Sequence, residues 1–345
     1  MDSDRRPWRG ALPSVTEFYD FAAKAGIQIP MGPAIDHQTD SAVAVTPPGP
    51  SQKVRDVISV DVEDYFHAEA FAKVVDRSGW DQRISRVEVN TRRILDLFSR
   101  LQVRATFFVL GWVAERYPGL VREIAAEGHE LACHSYLHRL ICKLQPEEFR
   151  ADTRRAKDLV EQSSGQAIYG YRAPTFCVRA DTLWALEILV ELGFTYDSSI
   201  FPIHHDRYGI PDSPRQPFRI LTASGPIIEY PMTTFRLWSD HNFPVAGGGY
   251  LRLLPWWYTQ LGLDRARKQH IPVIAYIHPW EIDPAQPRLN PGIKTKIRHY
   301  TNLGKTYDRL STLLQSGEFT SFNESGLAAT AKDYDISAWR QNGSR

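Results

Sequence analysis

The chain has 345 residues, and its 41 basic and 40 acidic side chains leave a formal net charge of +1 at pH 7. Because there is no excess of positive charge, the composition argues against nucleic acid or an anionic membrane surface as the partner. Hydrophobic residues make up 43% of the chain and charged residues 23%, so a large core can form without disulfides or a structural metal. Aromatic residues make up 12%, which suits either core packing or a sugar-binding groove.

Three cysteines, Cys133, Cys142 and Cys177, form neither a disulfide framework nor a zinc-ribbon pattern, which is typical of a reducing compartment. The N-terminus lacks the continuous apolar run of a secretory signal. No stretch approaches the roughly 18 uninterrupted apolar residues of a membrane-spanning helix. We therefore expect a cytoplasmic protein without an integral membrane segment.

Residues 1–53 differ in composition from the rest of the chain. A short helix is predicted over Val15–Ala25, and Gly32–Ser51 is rich in Pro, Ala, Asp and Thr. We expect this part to be an N-terminal arm and linker, partly disordered.

From Val54 onward, apolar runs typical of strands alternate with apolar residues at helical spacing. The predicted strands cover 57–64, 104–111, 130–135, 168–174, 195–199, 227–233, 272–278 and 319–322. The predicted helices cover 87–101, 118–127, 146–163, 182–192, about 255–268 and about 305–314.

Four or five β-α units in succession predict an α/β protein with a parallel sheet, and their number favours a closed barrel over an open sheet. The barrel with its C-terminal extension is expected to span residues 54–322, followed by a tail over 323–345. Dinucleotide-binding and P-loop functions are excluded, because the chain contains neither glycine motif.

Polar residues stand at the carboxyl ends of the predicted strands, where the active site of a parallel barrel lies. They are Asp61, Glu63, Asp64, His134, His138, Arg172, Asp197 and His278. Their shared placement on one rim is what indicates a site, since each residue alone is weak support.

His134 and His138 have a spacing of i and i+4, which puts both imidazoles on one face of a helix or helical turn. With one carboxylate they would form a metal site with open positions for water and substrate. The alternative is a pair of surface histidines. Three acids, Asp61, Glu63 and Asp64, could supply a metal ligand and a general base. Alternatively, they could be ordinary acidic residues at a helix N-terminus.

Arg172 precedes a rigid Ala-Pro turn and could orient a carboxylate, or could form an ordinary salt bridge at the rim. His278 precedes Pro279 and could act as a general acid if it faces the metal site, although a lone histidine is more often structural.

The ordered set of an Asp-containing first strand, H-S-x-x-H, Y-R-A-P, Y-D-S-S and I-H-P-W resembles the NodB-type polysaccharide deacetylases, carbohydrate esterase family 4. The resemblance covers roughly Val54 to Phe322. The segments DVEDYFH, GGGYLRLLP and IHPWEID resemble the subgroup associated with bacterial exopolysaccharide biosynthesis loci.

This resemblance implies a distorted (β/α)7 TIM-like barrel and metal-dependent removal of an acetyl group from an N-acetylated glycan. The roles that it implies are Asp61 as general base, Arg172 holding Asp61, His278 protonating the leaving amine, and Asp197 orienting His278. His134 and His138 would bind the ion with either Glu63 or Asp64. Asp64 is preferred, because aspartate fills that place elsewhere in the family. Zinc is the first expectation for the ion, with cobalt, nickel or manganese as alternatives.

Two other functions fit the same residues. One is hydrolysis of another C–N bond, in a small cyclic amide or imide, on the same scaffold. The other is a non-catalytic glycan-binding protein. Trp238, Trp256, Trp257 and Trp280 lie close to the last motif in the sequence, and they suit sugar stacking and packing about equally.

Overall fold

The structure is a computed structural model that describes residues 53–205, 207–237, 241–245, 247–337 and 339. The predicted N-terminal arm, apart from Lys53, lies outside the described residues, as does Trp238.

Ten strands of the described residues form one sheet, in the order β12-β6-β7-β5-β4-β3-β2-β1-β10, with β11 paired to the start of β1. They are β1 (Asp56–Val62), β2 (Thr106–Val109), β3 (Glu130–Cys133), β4 (Gly170–Tyr171), β5 (Tyr196–Asp197), β6 (Phe218–Thr222), β7 (Gly225–Glu229), β10 (Ile274–Ile277), β11 (Phe319–Thr320) and β12 (Lys332–Tyr334). Neighbouring strands are parallel except in the β6–β7 hairpin. A separate antiparallel pair joins β8 (Thr234–Phe235) to β9 (Phe243–Pro244).

Helices follow most of the strands. They are α1 (Val87–Leu101), α2 (Gly111–Arg116), α3 (Pro118–Ala126), α4 (Pro146–Ser164), α5 (Trp184–Glu191), α6 (Gly248–Leu253), α7 (Trp256–Lys268), α8 (Ile293–Tyr300) and α9 (Leu303–Gln315). Short 3-10 turns include Pro174–Phe176 and Pro279–Ile282. In the part of the chain that the structure describes, no helix combines the length and the apolar character that crossing a bilayer requires.

The hydrophobic spacing in the sequence explains the first β-α unit. Val57, Ile58, Val60 and Val62 of β1 are fully buried, as expected for a central strand with helices packed on the sheet. The helix predicted over 87–101 is confirmed as α1, and the apolar residues that predicted it face the core.

A closed barrel is not found among the described strands, so that prediction is wrong for this part of the molecule. The ladder ends at β12 on one side and at β10 on the other. After β7 the chain turns away into the separate β8–β9 pair. Thr233 nevertheless spans the gap, since its Oγ1 accepts from Ile274 N at 2.6 Å and lies 3.1 Å from Pro272 O. Side-chain contacts and one long backbone hydrogen bond, from Thr233 N to Ile274 O at 3.5 Å, therefore replace a strand ladder at this point.

The sheet extends beyond the predicted barrel end at residue 322. Lys332 to Tyr334 pair in parallel with Phe218 to Ile220, and Ile336 and Trp339 are buried behind them. Residues in the predicted tail thus complete one edge of the sheet.

The register of the central strands brings the polar residues to one edge. Val60 pairs with Ile277, and Val109 pairs with Val62 on one side and with Cys133 on the other. Cys133 in turn pairs with Tyr171. Because these strands are parallel, the residues that follow them emerge at the same edge of the sheet.

Candidate metal and acid–base site

Glu63, His134 and His138 form a buried cluster in which one potential ligand atom from each residue lies within 4.8 Å of the others. His138 Nε2 is 2.9 Å from Glu63 Oε2. Burial by itself would raise the pKa of Glu63, but the nearby His138, His278 and His134 hold it well below its usual range. A carboxylate and two imidazoles are suited to bind a divalent ion such as zinc.

The tautomer of His134 is set by its backbone contact. His134 Nδ1 lies 2.9 Å from the carbonyl oxygen of Arg172, so Nδ1 carries the proton and donates it there. Burial lowers the pKa of His134 to about 4, which keeps the ring neutral. The Nε2 lone pair is therefore directed away from this contact, as a metal ligand requires.

The loop that carries the two histidines is not the helical turn that the i, i+4 spacing predicted. Ser135 and His138 both have left-handed backbone conformations, with φ of 60° and 50°. Ser135 Oγ accepts from His138 N at 3.1 Å, and Arg77 donates to the carbonyls of Leu137 and His138 at 2.8 and 3.0 Å. These contacts stabilise the loop that brings both rings together.

Asp64 does not lie with the histidines, and the structure corrects the preference for it over Glu63. Its Oδ2 accepts from Ser85 Oγ, Arg86 N and Val87 N at 2.7, 2.8 and 3.1 Å. Its Oδ1 accepts from Tyr65 N at 3.0 Å. Asp64 therefore caps the N-terminus of α1.

Arg172 holds Asp61, as the sequence predicted. The fully buried guanidinium donates through one nitrogen to Asp61 Oδ1 and Ser59 Oγ, both at 2.7 Å. Ser198 accepts from the other two nitrogens, at 3.0 Å through its carbonyl and 2.9 Å through its hydroxyl. The contact with Asp61 is therefore through a single nitrogen, and β1 together with the residue after β5 fixes the arginine.

His278 lies beside both acids. Its Nε2 is 3.9 Å from Asp61 Oδ2 and 3.7 Å from Glu63 Oε1, and its side chain is 17% exposed. The side chains of Asp61, Glu63 and His138 are at most 4% exposed. His278 is thus the most accessible of these four groups.

Asp197 does not orient His278, which corrects another expectation. Glu281 takes that place, because its Oε2 lies 2.9 Å from His278 Nδ1. Burial would lower the pKa of His278, but the hydrogen bond and charge of Glu281 outweigh it and raise the pKa to about 9.

Asp197 is paired instead with Glu229, which lies opposite it in the β5–β7 ladder. Its Oδ1 accepts from Ser199 Oγ, and Glu229 Oε1 accepts from the Ser199 and Ile200 amides at 3.1 and 2.9 Å. Burial raises the pKa of Asp197 to about 6, and burial together with the Asp197 charge raises that of Glu229 well above its usual range. Neither of the remaining buried oxygens has a donor among the described residues, and one proton shared by the two carboxyl groups satisfies both.

Trp280 packs inside the site and is only 6% exposed, so it does not offer a sugar-stacking face. Its ring stacks on His299 at 4.1 Å and on His278 at 5.1 Å between centroids. Its Nε1 donates to Glu63 Oε1 at 3.2 Å. The indole therefore orients Glu63.

Three contributors were missed from the sequence. The His278 partner Glu281 could have been found, since the i, i+3 spacing after a proline favours such a pair. Ser59 could also have been found, because residues 59 and 61 share one face of a strand. Ser198 gives no sequence signal for its contacts with Arg172.

The protein thus has an α/β fold with a buried carboxylate–histidine site at the carboxyl ends of its strands. Residues 79–196 match the family described as polysaccharide deacetylase. Residues 198–326 match a domain of unknown function, DUF3473.

Curated relatives agree with the first match. The chain is 35% identical over 98 residues to a peptidoglycan-N-acetylglucosamine deacetylase of Bacillus cereus, covering 28% of this chain and 36% of the relative. It is 34% identical over 85 residues to a chitooligosaccharide deacetylase of a Bradyrhizobium species, covering 24% of this chain and 39% of the relative. The chain thus spans less than half the length of these relatives.

Among solved structures, a provisionally named polysaccharide deacetylase from Mycobacterium smegmatis matches with a TM-score of 0.54 and 20% identity. The match covers 85% of this chain and 96% of that one, so the two share a fold. The family match and the relatives show that part of this chain is similar to polysaccharide deacetylases.

Proposed function

We propose that this protein is a metal-dependent hydrolase that removes N-acetyl groups from an N-acetylated polysaccharide or glycan precursor in exopolysaccharide biosynthesis. The observation that carries the proposal is the placement of Asp61, held by Arg172, and of His278 beside the Glu63–His134–His138 cluster.

The cluster fits a divalent ion by its chemistry. Glu63 Oε2 is buried and has no hydrogen bond of good geometry, although His138 Nε2 lies only 2.9 Å away. This arrangement is expected when both atoms face the position that a bound ion would occupy. Glu63, His134 and His138 would hold the ion, and zinc suits this donor set. The ion would polarise the acetamide carbonyl and lower the pKa of a water molecule.

Asp61 and His278 suit the two proton transfers of amide hydrolysis. Asp61 accepts the proton of the attacking water, and Arg172 keeps its carboxylate in place. His278, whose pKa is raised to about 9, donates a proton to the departing nitrogen as the carbon–nitrogen bond breaks. The products are acetate and a free amine.

A backbone amide next to Arg172 can help stabilise the developing oxyanion. Thr175 and Phe176 have φ of 57° and 54°, an unusual pair of left-handed residues at the rim of the site. The Phe176 amide donates to Ala173 O at 3.1 Å, so the Thr175 amide is the candidate donor.

The substrate class follows from the relatives, whose names specify peptidoglycan and chitooligosaccharide, and from the motifs shared with the exopolysaccharide subgroup. An N-acetylglucosamine-type glycan is therefore the proposed substrate.

The role of Asp61 can be tested with Asp61→Asn. We expect acetate release from N-acetylated chito-oligosaccharides to fall by at least about 10²-fold, because the amide cannot accept the proton. Metal content should stay unchanged, since the three proposed ligands remain. Near-wild-type turnover in the variant would refute the assignment.

A substrate comparison tests the reaction itself. Acetate release from N-acetylated glycans and ring opening of small cyclic imides are measured with the same zinc-loaded protein. Ring opening alone would replace the proposal with an imide hydrolase. Glycan affinity without metal binding or hydrolysis would replace it with a binding protein.

A further inference from the structure

We propose that Glu281 and Arg252 are positioning residues that hold His278 as the acid. Residues 198–326, which match the domain of unknown function, then supply the proton donor His278 and the two residues that hold it. This inference rests on the proposed deacetylase function and deepens it, since the match to polysaccharide deacetylases ends at residue 196.

The first step is the contact between His278 and Glu281. Glu281 Oε2 lies 2.9 Å from His278 Nδ1 and accepts from the His278 amide at 3.2 Å. The carboxylate is fully buried and bound to both the ring and the backbone of one residue. It therefore fixes the ring orientation and keeps the proton of Nδ1 in place.

The second step is the ion pair behind Glu281. Arg252 Nε donates to Glu281 Oε1 at 3.1 Å, and both side chains are nearly fully buried. The neighbouring cation and the His278 hydrogen bond outweigh burial and hold the pKa of Glu281 below its usual value. Glu281 thus stays ionised and accepts a hydrogen bond without removing the proton from Nδ1.

Arg252 is itself anchored. Its guanidinium donates to Thr301 O at 2.8 Å, while its carbonyl accepts from Asn302 Nδ2 at 3.0 Å and from Arg309 at 2.8 Å. These contacts tie α6 to the start of α9 and fix the arginine, which in turn fixes Glu281.

Two glycines at the start of α6 allow this approach. A Cβ at Gly247 would lie 1.9 Å from Tyr276 O, and one at Gly248 would lie 2.3 Å from Tyr276 Oη. Only a backbone without Cβ atoms fits against β10 here, two residues before His278. The Gly-Gly pair therefore brings the helix of Arg252 to the strand of His278.

The geometry leaves Nε2 as the proton donor. Because Nδ1 is bound to Glu281, Nε2 faces Asp61 and Glu63 at 3.9 and 3.7 Å. His278 can give the Nε2 proton to the leaving nitrogen and become neutral while Nδ1 keeps its own proton. Asp197 cannot hold His278 in this way, since it is paired with Glu229.

The test is Glu281→Gln, measured on two substrates with the zinc-loaded protein. We expect kcat for acetate release from N-acetylated chito-oligosaccharides to fall about 10²-fold with KM little changed. Hydrolysis of para-nitrophenyl acetate should stay within about twofold, because its phenolate leaves without protonation. The exposed Glu147→Gln is the matched control and should change neither rate.

Removing one charge leaves Arg252 buried and unpaired, so Glu281→Gln could fail to fold. The double variant Glu281→Gln with Arg252→Met removes both charges and is tested in parallel. A second readout is the NMR signal of the His278 Nδ1 proton in the metal-free protein. We expect a strongly downfield signal in the wild type that is lost in both variants.

Any of three results in the Glu281 variants would overturn the proposal. They are equal losses of amide and ester hydrolysis, unchanged amide hydrolysis, and a retained downfield signal of the His278 Nδ1 proton. If the wild type releases no acetate from any N-acetylated glycan but shows the signal, the proposed function fails. The contact between Glu281 and His278 would then still stand.

Discussion

Two neighbouring acids, Glu63 and Asp64, show how a single residue decides the site. Side chains alternate along a strand, so Ser59 and Asp61 of β1 share one face. Glu63 and Asp64 follow β1 after a turn in which the Glu63 amide donates to Asp61 O at 2.9 Å, and their side chains have different partners. Ser59 and Asp61 contact Arg172, and Glu63 contacts His138. Asp64 accepts from the backbone at the start of α1. The sequence places both acids directly after β1, and the turn after Asp61 decides which of them faces the histidines.

Isosteric changes at these two positions should separate their roles. Glu63→Gln is expected to lower zinc affinity by at least about tenfold, because a charged ligand is lost. Asp64→Asn should keep zinc affinity and lower the free energy of unfolding by about 1–2 kcal/mol, because the helix cap is weakened. Zinc titration calorimetry and urea unfolding of the metal-free protein measure the two effects. The opposite pattern would restore Asp64 as the ligand.

At the scale of elements, the hydrophobic spacing predicted the β-α units, whereas the loops that carry the chemistry needed tertiary contacts. The i, i+4 spacing of His134 and His138 predicted a helical turn, but the residues form a loop with left-handed conformations. Local propensity does not favour that conformation for Ser135 or His138. Contacts from Arg77, 61 positions away from His138, stabilise it.

The packing of α6 on β10 gives an element-scale prediction. Gly247→Ala should lower the free energy of unfolding by about 2–4 kcal/mol, because Gly247 has φ of 79° and its Cβ would collide with Tyr276 O. Gly304→Ala in α9 is the control, since nothing lies within 4 Å of its Cβ, and it should be neutral or slightly stabilising. Urea unfolding compares the two. Equal stability in both variants would mean that the close approach to Tyr276 is not required.

At the scale of the whole molecule, distant parts of the chain complete one site. Asp61 lies in β1 and Glu63 directly follows it. His134, His138 and Arg172 come from the segment matched to polysaccharide deacetylases, and His278 comes from the segment of unknown function. The parallel pairing of β1 with both β2 and β10 joins the three parts. The site therefore depends on the sheet as a unit.

The buried pair of Asp197 and Glu229 makes the stability of this unit depend on pH. Both folded pKa values are raised, so the folded state holds more protons than the unfolded state above about pH 4. The stability that this pair contributes is thus present at low pH and is lost as pH rises through about 6 and beyond.

Glu229→Gln should flatten this dependence, because Gln can donate to Asp197 without a titrating proton. The wild type is expected to lose up to about 1.4 kcal/mol per pH unit relative to the variant across that range. Urea unfolding of the metal-free proteins from pH 4 to 8 measures the difference, with Glu147→Gln as the exposed control. Parallel pH profiles for wild type and Glu229→Gln would contradict the shared proton.

The sequence by itself determined the alternation of strands and helices and the rim on which the polar residues lie, and the resemblance of its motifs implied the contact between Arg172 and Asp61. These depend on residue periodicity and on the order of motifs, which are properties of the chain. Tertiary structure decided that Glu63 faces the histidines, that Arg252 pairs with Glu281 behind His278, and that the strand ladder stays open between β12 and β10. These depend on side-chain direction and on contacts between residues far apart in sequence, such as Arg252 and Glu281, which composition, charge and spacing do not encode.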